Sequence, residues 1–214
     1  MGSGGKIENC HNYSQISGTN YVGGIVGYIL NSSKFEKIIN CSNEGNIVST
    51  TKDAYIGGII GNTDAITLTI ENCFNKGNVQ GSGITGNNRS YIKNCYNAGT
   101  VKYGLVQINQ AKIVNCYNIG NSDSRYLVNN NSYTNSYMYN CTYLNGTAND
   151  IAKNNTENSI NISSCTSMES INMKEETFLN NLNKNPEGVV DVWIKDTKNI
   201  NNGYPILIWQ NIEL

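Results

Sequence analysis

The chain has 214 residues, 38% of them hydrophobic and only 14% charged, with a net charge of -1. That balance excludes a disordered acidic or basic tail, and it lacks the concentrated positive charge that a nucleic-acid binder requires. Asn is abundant beside 21 Gly and 14 Tyr, while Pro numbers only 2. Asn and Gly tolerate left-handed backbone angles, so the composition fits an all-β fold with many tight corners. No apolar run is long enough to span a bilayer. Residues 1–5, Met1-Gly2-Ser3-Gly4-Gly5, read as an expression leader, since no apolar stretch follows them. Repeat sequence starts at Ile7, which suggests a piece of a longer protein.

The repeat domain is assigned to residues 6–168. Ile7-Glu8-Asn9-Cys10-His11-Asn12 recurs as Ile38-Ile39-Asn40-Cys41-Ser42-Asn43 and as Ile70-Glu71-Asn72-Cys73-Phe74-Asn75. It returns as Ile92-Lys93-Asn94-Cys95-Tyr96-Asn97 and Ile113-Val114-Asn115-Cys116-Tyr117-Asn118, then more weakly around Cys141 and Cys165. All 7 cysteines fall in this register, at intervals of 31, 32, 22, 21, 25 and 24 residues. Units of this length belong to solenoids, in which each turn buries its apolar face against its neighbours. The two long intervals imply loop insertions, around Asn31 to Lys37 and around Ser49 to Asp53. Period-two reading turns Cys, the second Asn and the aliphatic six places on (Ile16, Ile47, Val79, Val101) to one face. The first Asn falls at a corner, where its amides could bond from turn to turn. A second block, Tyr21-Val22-Gly23-Gly24-Ile25-Val26-Gly27, is echoed by Tyr55-Ile56-Gly57-Gly58-Ile59-Ile60-Gly61.

Together the two blocks resemble the GLUG-type repeats of bacterial cell-surface proteins, some of which accompany IgA-protease-like or adhesin-like polypeptides. The resemblance runs from Ile7 to Asn121 and fades toward Cys165. It implies a right-handed parallel β-helix, display outside the cell or on its surface, and attachment or spacer duties. It supplies no catalytic site.

Residues 169–214 differ. Lys174 to Leu182 carries apolar residues at helical spacing, Val189 to Ile194 reads as a strand, and Asn201 to Trp209 reads as a turn and a second strand. Both tryptophans lie here. The segment is expected to be a small α+β cap, closing a solenoid end that would otherwise expose strand edges and core.

Chemistry is sparse. The cysteines have no C-x-x-C pair and His11 is the single histidine, so neither metal nor cofactor is expected. Stacked turns would allow disulfides on distance, but the inward register favours buried free thiols. The acids Asp53, Asp64, Asp123 and Asp150 share no repeat column, and Glu8 and Glu71 are separated by Ile39. No enzyme is therefore expected. The outward position after each cysteine forms the column His11, Ser42, Phe74, Tyr96, Tyr117, Thr142, Thr166. Its rings Phe74, Tyr96 and Tyr117 would stack as an aromatic stripe, read either as a candidate ligand surface for a glycan or as a ladder that only steadies the stack. The expected function is a non-catalytic structural and adhesive module, whose partners are a host or surface glycan or protein and other domains of its parent chain. The alternative is a carbohydrate-binding module attached to a catalytic domain.

Overall fold

The computed structural model of the chain describes residues 4–31, 35–131, 136–152, 161–184 and 191–211. It is a parallel β-helix. The coils contribute strands to a first sheet (seven strands, Gly5–Glu8 to Asn161–Ser163), a second (seven, His11–Asn12 to Thr166–Met168) and, from the first six coils, a third (six, Val26–Ile29 to Asp150–Ala152). The repeat sets the register. Ile7 lies beside Ile38, Ile38 beside Ile70, Ile70 beside Ile92 and Ile92 beside Ile113. Gly5, assigned above to the leader, already belongs to the first strand, opposite Phe35.

The two asparagines flanking each cysteine perform separate tasks. The first, from Asn9 through Asn140, holds φ between 50° and 55°. That is the left-handed region, which Asn accepts more readily than other residues bearing a Cβ, and it turns the chain from the first sheet into the second. The expected amide ladder at this corner is only partial, with Asn140 donating to Asn115 at 2.9 Å and Asn115 to Asn94 at 3.5 Å. The continuous ladder belongs instead to the second Asn. Asn12, Asn43, Asn75 and Asn97 each donate Nδ2 to the Oδ1 of the next coil at 2.7 Å, ending on Asn118. Each also donates to a carbonyl two residues on, so a buried amide is satisfied twice over.

The glycine two places after that Asn sits at the tightest approach between coils. A Cβ on Gly77 would lie 2.0 Å from the Gly45 carbonyl oxygen, and Gly99 and Gly120 are packed in the same way. Inside the coils, Ile38, Ile70, Ile92 and Ile113 pack with Cys41, Cys73, Cys95 and Cys116, with Ile60 and Leu127 from the third sheet, and with Ile84 and Leu105 just ahead of its strands. A smaller core of Val22, Ile47, Ile56, Val79 and Val101 fills the corner between the second and third sheets.

The first two coils carry additional paired strands at that corner, Ile16–Gly18 with Ile47–Ser49 and Tyr21–Gly23 with Tyr55–Gly57. The long cysteine intervals are absorbed here, by the loop around Ser49 to Asp53, and also by a Asp64 to Leu68 excursion that the repeat alignment does not single out. Of the expected insertion from Asn31 to Lys37, residues 32–34 lie outside the described residues, and Phe35–Ile39 is already strand.

The C-terminal segment holds the helix Glu176–Asn183 and an antiparallel pair, Trp193–Ile194 with Ile206–Leu207. Val189 and Val190, assigned to the first of these strands, lie outside the described residues. The described part of the segment is laid against the side of the stack rather than across its end. It lies along the outer side of the second sheet, from the sixth coil, where Asn140 donates to the Asn181 carbonyl at 2.7 Å, back to the first, where Trp209 meets His11. The outward column of that sheet is apolar at its centre, and covering it along its length takes that apolar surface out of water.

Candidate functional site

The expected stripe forms. Phe74 and Tyr96 stack at 5.1 Å and 13°, and Tyr96 and Tyr117 at 5.0 Å and 7°. It is not a surface, however. Phe74 is 3% exposed and Tyr96 and Tyr117 are 0% exposed, because the C-terminal segment lies on them. Trp193 packs 5.3 Å from Tyr117, Trp209 packs 5.5 Å from Phe74, and Phe178 meets Tyr117 edge-on at 5.9 Å. The reading of Phe74, Tyr96 and Tyr117 as an open ligand platform is thereby corrected: the rings are the floor of an internal interface.

Most polar atoms of that interface are paired, the buried Trp193 indole N–H being without a partner among the described residues. Tyr117 donates its hydroxyl to the Pro205 carbonyl and accepts from Asn201 Nδ2 at 2.9 Å. The Tyr96 hydroxyl is bonded to the Gln210 amide, accepting from Nε2 at 2.9 Å. Lys76 donates to the Ile200 carbonyl at 2.8 Å. Asp196, itself buried, accepts the backbone N–H groups of Ile200, Asn201 and Gly203 and so shapes the loop that delivers Asn201. Burial raises both phenols, Tyr96 and Tyr117, above the ordinary tyrosine range.

The thiols are free. Cys41, Cys73, Cys95, Cys116 and Cys141 are buried, Cys165 is partly covered and Cys10 is exposed at the first coil. Burial lifts the thiols of Cys73, Cys95 and Cys116 well above their usual value, which suppresses the nucleophilic thiolate. His11 Nδ1 lies 2.9 Å from Ser42 Oγ, a pairing of base and hydroxyl. Ser42 is buried, and among the described residues no carboxylate bonds to His11 to orient it. The Glu71 carboxylate is held by Lys37 at 2.7 Å and Lys93 at 3.0 Å. Burial acts to raise its pKa, and the two lysines outweigh that and hold it below the ordinary range.

A cleft of about 590 Å³ opens on the corner between the second and third sheets. Its one wall is the inserted loop of the second coil. Ser49 donates to the Thr19 carbonyl at 3.0 Å, and the Ser49 N–H donates to Gln80 Oε1 at 3.0 Å, which pins the loop between the first and third coils. The third to fifth coils lack the additional strands, so the floor drops to Val79 and Val101, and Lys102, Tyr103, Gln107 and Asp123 edge the far side. Sequence reading found the Ser49 to Asp53 insertion but not the cleft. The signal was the contrast in interval length, 32 residues for this coil against 22 and 21 for the next two.

Fold and stacked motif together define a β-solenoid repeat protein. Residues 18–48 match the GLUG motif, and they make up one circuit from the Tyr21–Gly27 block through Cys41 to Val48. In structure the chain is similar to a "putative immunoglobulin A1 protease" from Bacteroides ovatus, with a TM-score of 0.50 and 21% identity. The likeness covers 96% of this chain and 58% of that one, so the chain spans a little over half the length of the protein it matches. At this identity the likeness is one of fold. No curated protein matches the sequence.

Proposed function

We propose that the chain is a non-catalytic structural and adhesive module of a larger secreted or surface-anchored bacterial protein, a rigid rod that spaces and displays its neighbours. The observation that supports the structural part of this reading most is the use of the aromatic stripe. The chain commits its most adhesive-looking surface, Phe74, Tyr96 and Tyr117, to a brace running the length of the second sheet. Bracing stiffens a solenoid, whose coils otherwise contact only their neighbours. The titratable groups are likewise engaged structurally: Glu71 between two lysines, Asp196 on backbone N–H groups, and the thiols in the core.

The test is incubation of the purified chain with immunoglobulin A1, unfolded protein and soluble polysaccharides. A non-catalytic rod leaves every substrate intact and itself resists trypsin. Cleavage of any of them, abolished by Ser42→Ala or His11→Gln, contradicts the proposal.

A further inference from the structure

We infer that the corner cleft is a binding site for an extended neutral oligosaccharide, a role that stands independently of the rod proposed above. Insertions in a solenoid that fall on one face commonly build its binding face. Here one insertion, in the second coil, turns a flat corner into a walled trough that runs along the solenoid axis over the coils that follow it.

The lining matches a sugar. The floor is aliphatic, from Ala54, Ile56, Val79 and Val101, and suits the C–H face of a pyranose ring. The edges carry hydroxyls and amides rather than clustered charge: Ser49, Thr50, Thr51, Asn78, Gln80 and Thr100. Lys52 and Lys102 are offset in part by Asp123, and Lys102 lies over the Tyr103 ring at 4.9 Å. Such a site is convergent in hydrogen bonds and poor in net charge, so it selects polyhydroxyl ligands over strongly anionic ones.

One atom is left wanting. Gln107 Oε1 is buried at the cleft and has no hydrogen-bond partner among the described residues. A buried unpaired acceptor is unfavourable, and a ligand hydroxyl would give it a partner. A peptide fits less well. It would need a free strand edge to extend, but Val79 is paired on both sides, with Ile47 and Val101, and Val101 is paired onward to Ser122.

The test is a screen of the intact chain against neutral and acidic glycans immobilised in parallel, followed by calorimetry with the strongest neutral oligosaccharide. Gln107→Ala is expected to weaken binding about tenfold with no fall in the unfolding midpoint of the free chain. If that variant fails to fold, Thr100→Ala combined with Lys102→Ala, on the exposed edge, is expected to show the same loss. Tyr21→Ser, away from the cleft, should leave the affinity within about twofold. Absence of any neutral glycan ligand overturns the inference. So does binding confined to acidic glycans or to peptides, or binding that neither cleft variant weakens.

Discussion

Trp209 donates its indole N–H to the backbone carbonyl of Asn72 at 2.9 Å, across 137 residues of sequence. That carbonyl belongs to a left-handed corner of the third coil, so the last tryptophan of the chain is fastened to the turn that the repeat dictates. The bond marks the far end of a contact line that starts at Asn181 on Asn140 and passes through Pro205 on Tyr117 and Gln210 on Tyr96. Its consequences for stability can be measured.

Tyr117→Phe keeps the ring stack and removes the hydroxyl that joins Asn201 to Pro205, leaving that amide and carbonyl only their own longer bond of 3.4 Å inside the interface. The expected loss is about 1–3 kcal/mol. Tyr96→Ser combined with Tyr117→Ser also empties the stack, and should cost more than about 4 kcal/mol, the two sites being in contact and so not additive. Urea denaturation of the three proteins measures both values. The double variant, if folded, should retain any glycan binding, because the cleft lies on another corner.

Asn97 and Asn94 separate the two roles of asparagine. Asn97→Ala cuts the buried ladder on both sides, taking one of two acceptors from Asn75 Nδ2 and the ladder donor from Asn118 Oδ1, at a cost of about 2–4 kcal/mol. Asn94→Ala strains a left-handed corner and is expected to cost about 1–2 kcal/mol, while Asn94→Gly should be close to neutral. Thermal unfolding of the three variants checks the order.

The sequence shows the inward face well, because alternation about each cysteine is a local rule. It shows the corner too, since Asn before cysteine recurs with the φ that only a few residues tolerate. Two identical residues in one motif, however, do not announce which makes the ladder. That depends on which amide faces the next coil, a matter of side-chain direction. The fate of the stripe was less legible still. His11, Phe74 and Tyr96 point out of the coil as the alternation requires, but what covers them arrives from residues about a hundred positions away, as with Tyr96 and Gln210, 114 apart. The cleft shows in the sequence only as a contrast in interval length: it exists because the coils after Ser49 to Asp53 are shorter than the one that carries the loop.

Glu71 should give the fold an acid limit. Its folded pKa lies below the ordinary value of 4.5, so its ion pairs stabilise the protein above that pH and are lost as pH falls through the depressed folded value. Unfolding midpoints measured from pH 6 down to pH 3 should decline more steeply in the native chain than in Glu71→Gln. The variant itself should be less stable at neutral pH by about 1 kcal/mol, since Lys37 and Lys93 then face each other without the carboxylate.

The thiols should separate by position. Under native conditions a thiol reagent is expected to label Cys10 quickly, Cys165 slowly, and the five buried cysteines hardly at all. Denatured without reductant, the chain should show 7 reactive groups, one for each cysteine. A lower count would establish disulfides and contradict the free thiol column.

The central claim is that the C-terminal segment is part of the rod, clamped along the second sheet. Both tryptophans of the chain, Trp193 and Trp209, lie in that segment, so tryptophan fluorescence reports the clamp while far-ultraviolet circular dichroism reports the coils. Thermal unfolding followed by both probes tests the claim most directly. Coincident transitions are the expected result, the mark of one cooperative unit. Loss of the fluorescence signal well below the loss of β-structure would show a segment that detaches by itself, and would return Phe74, Tyr96 and Tyr117 to the surface.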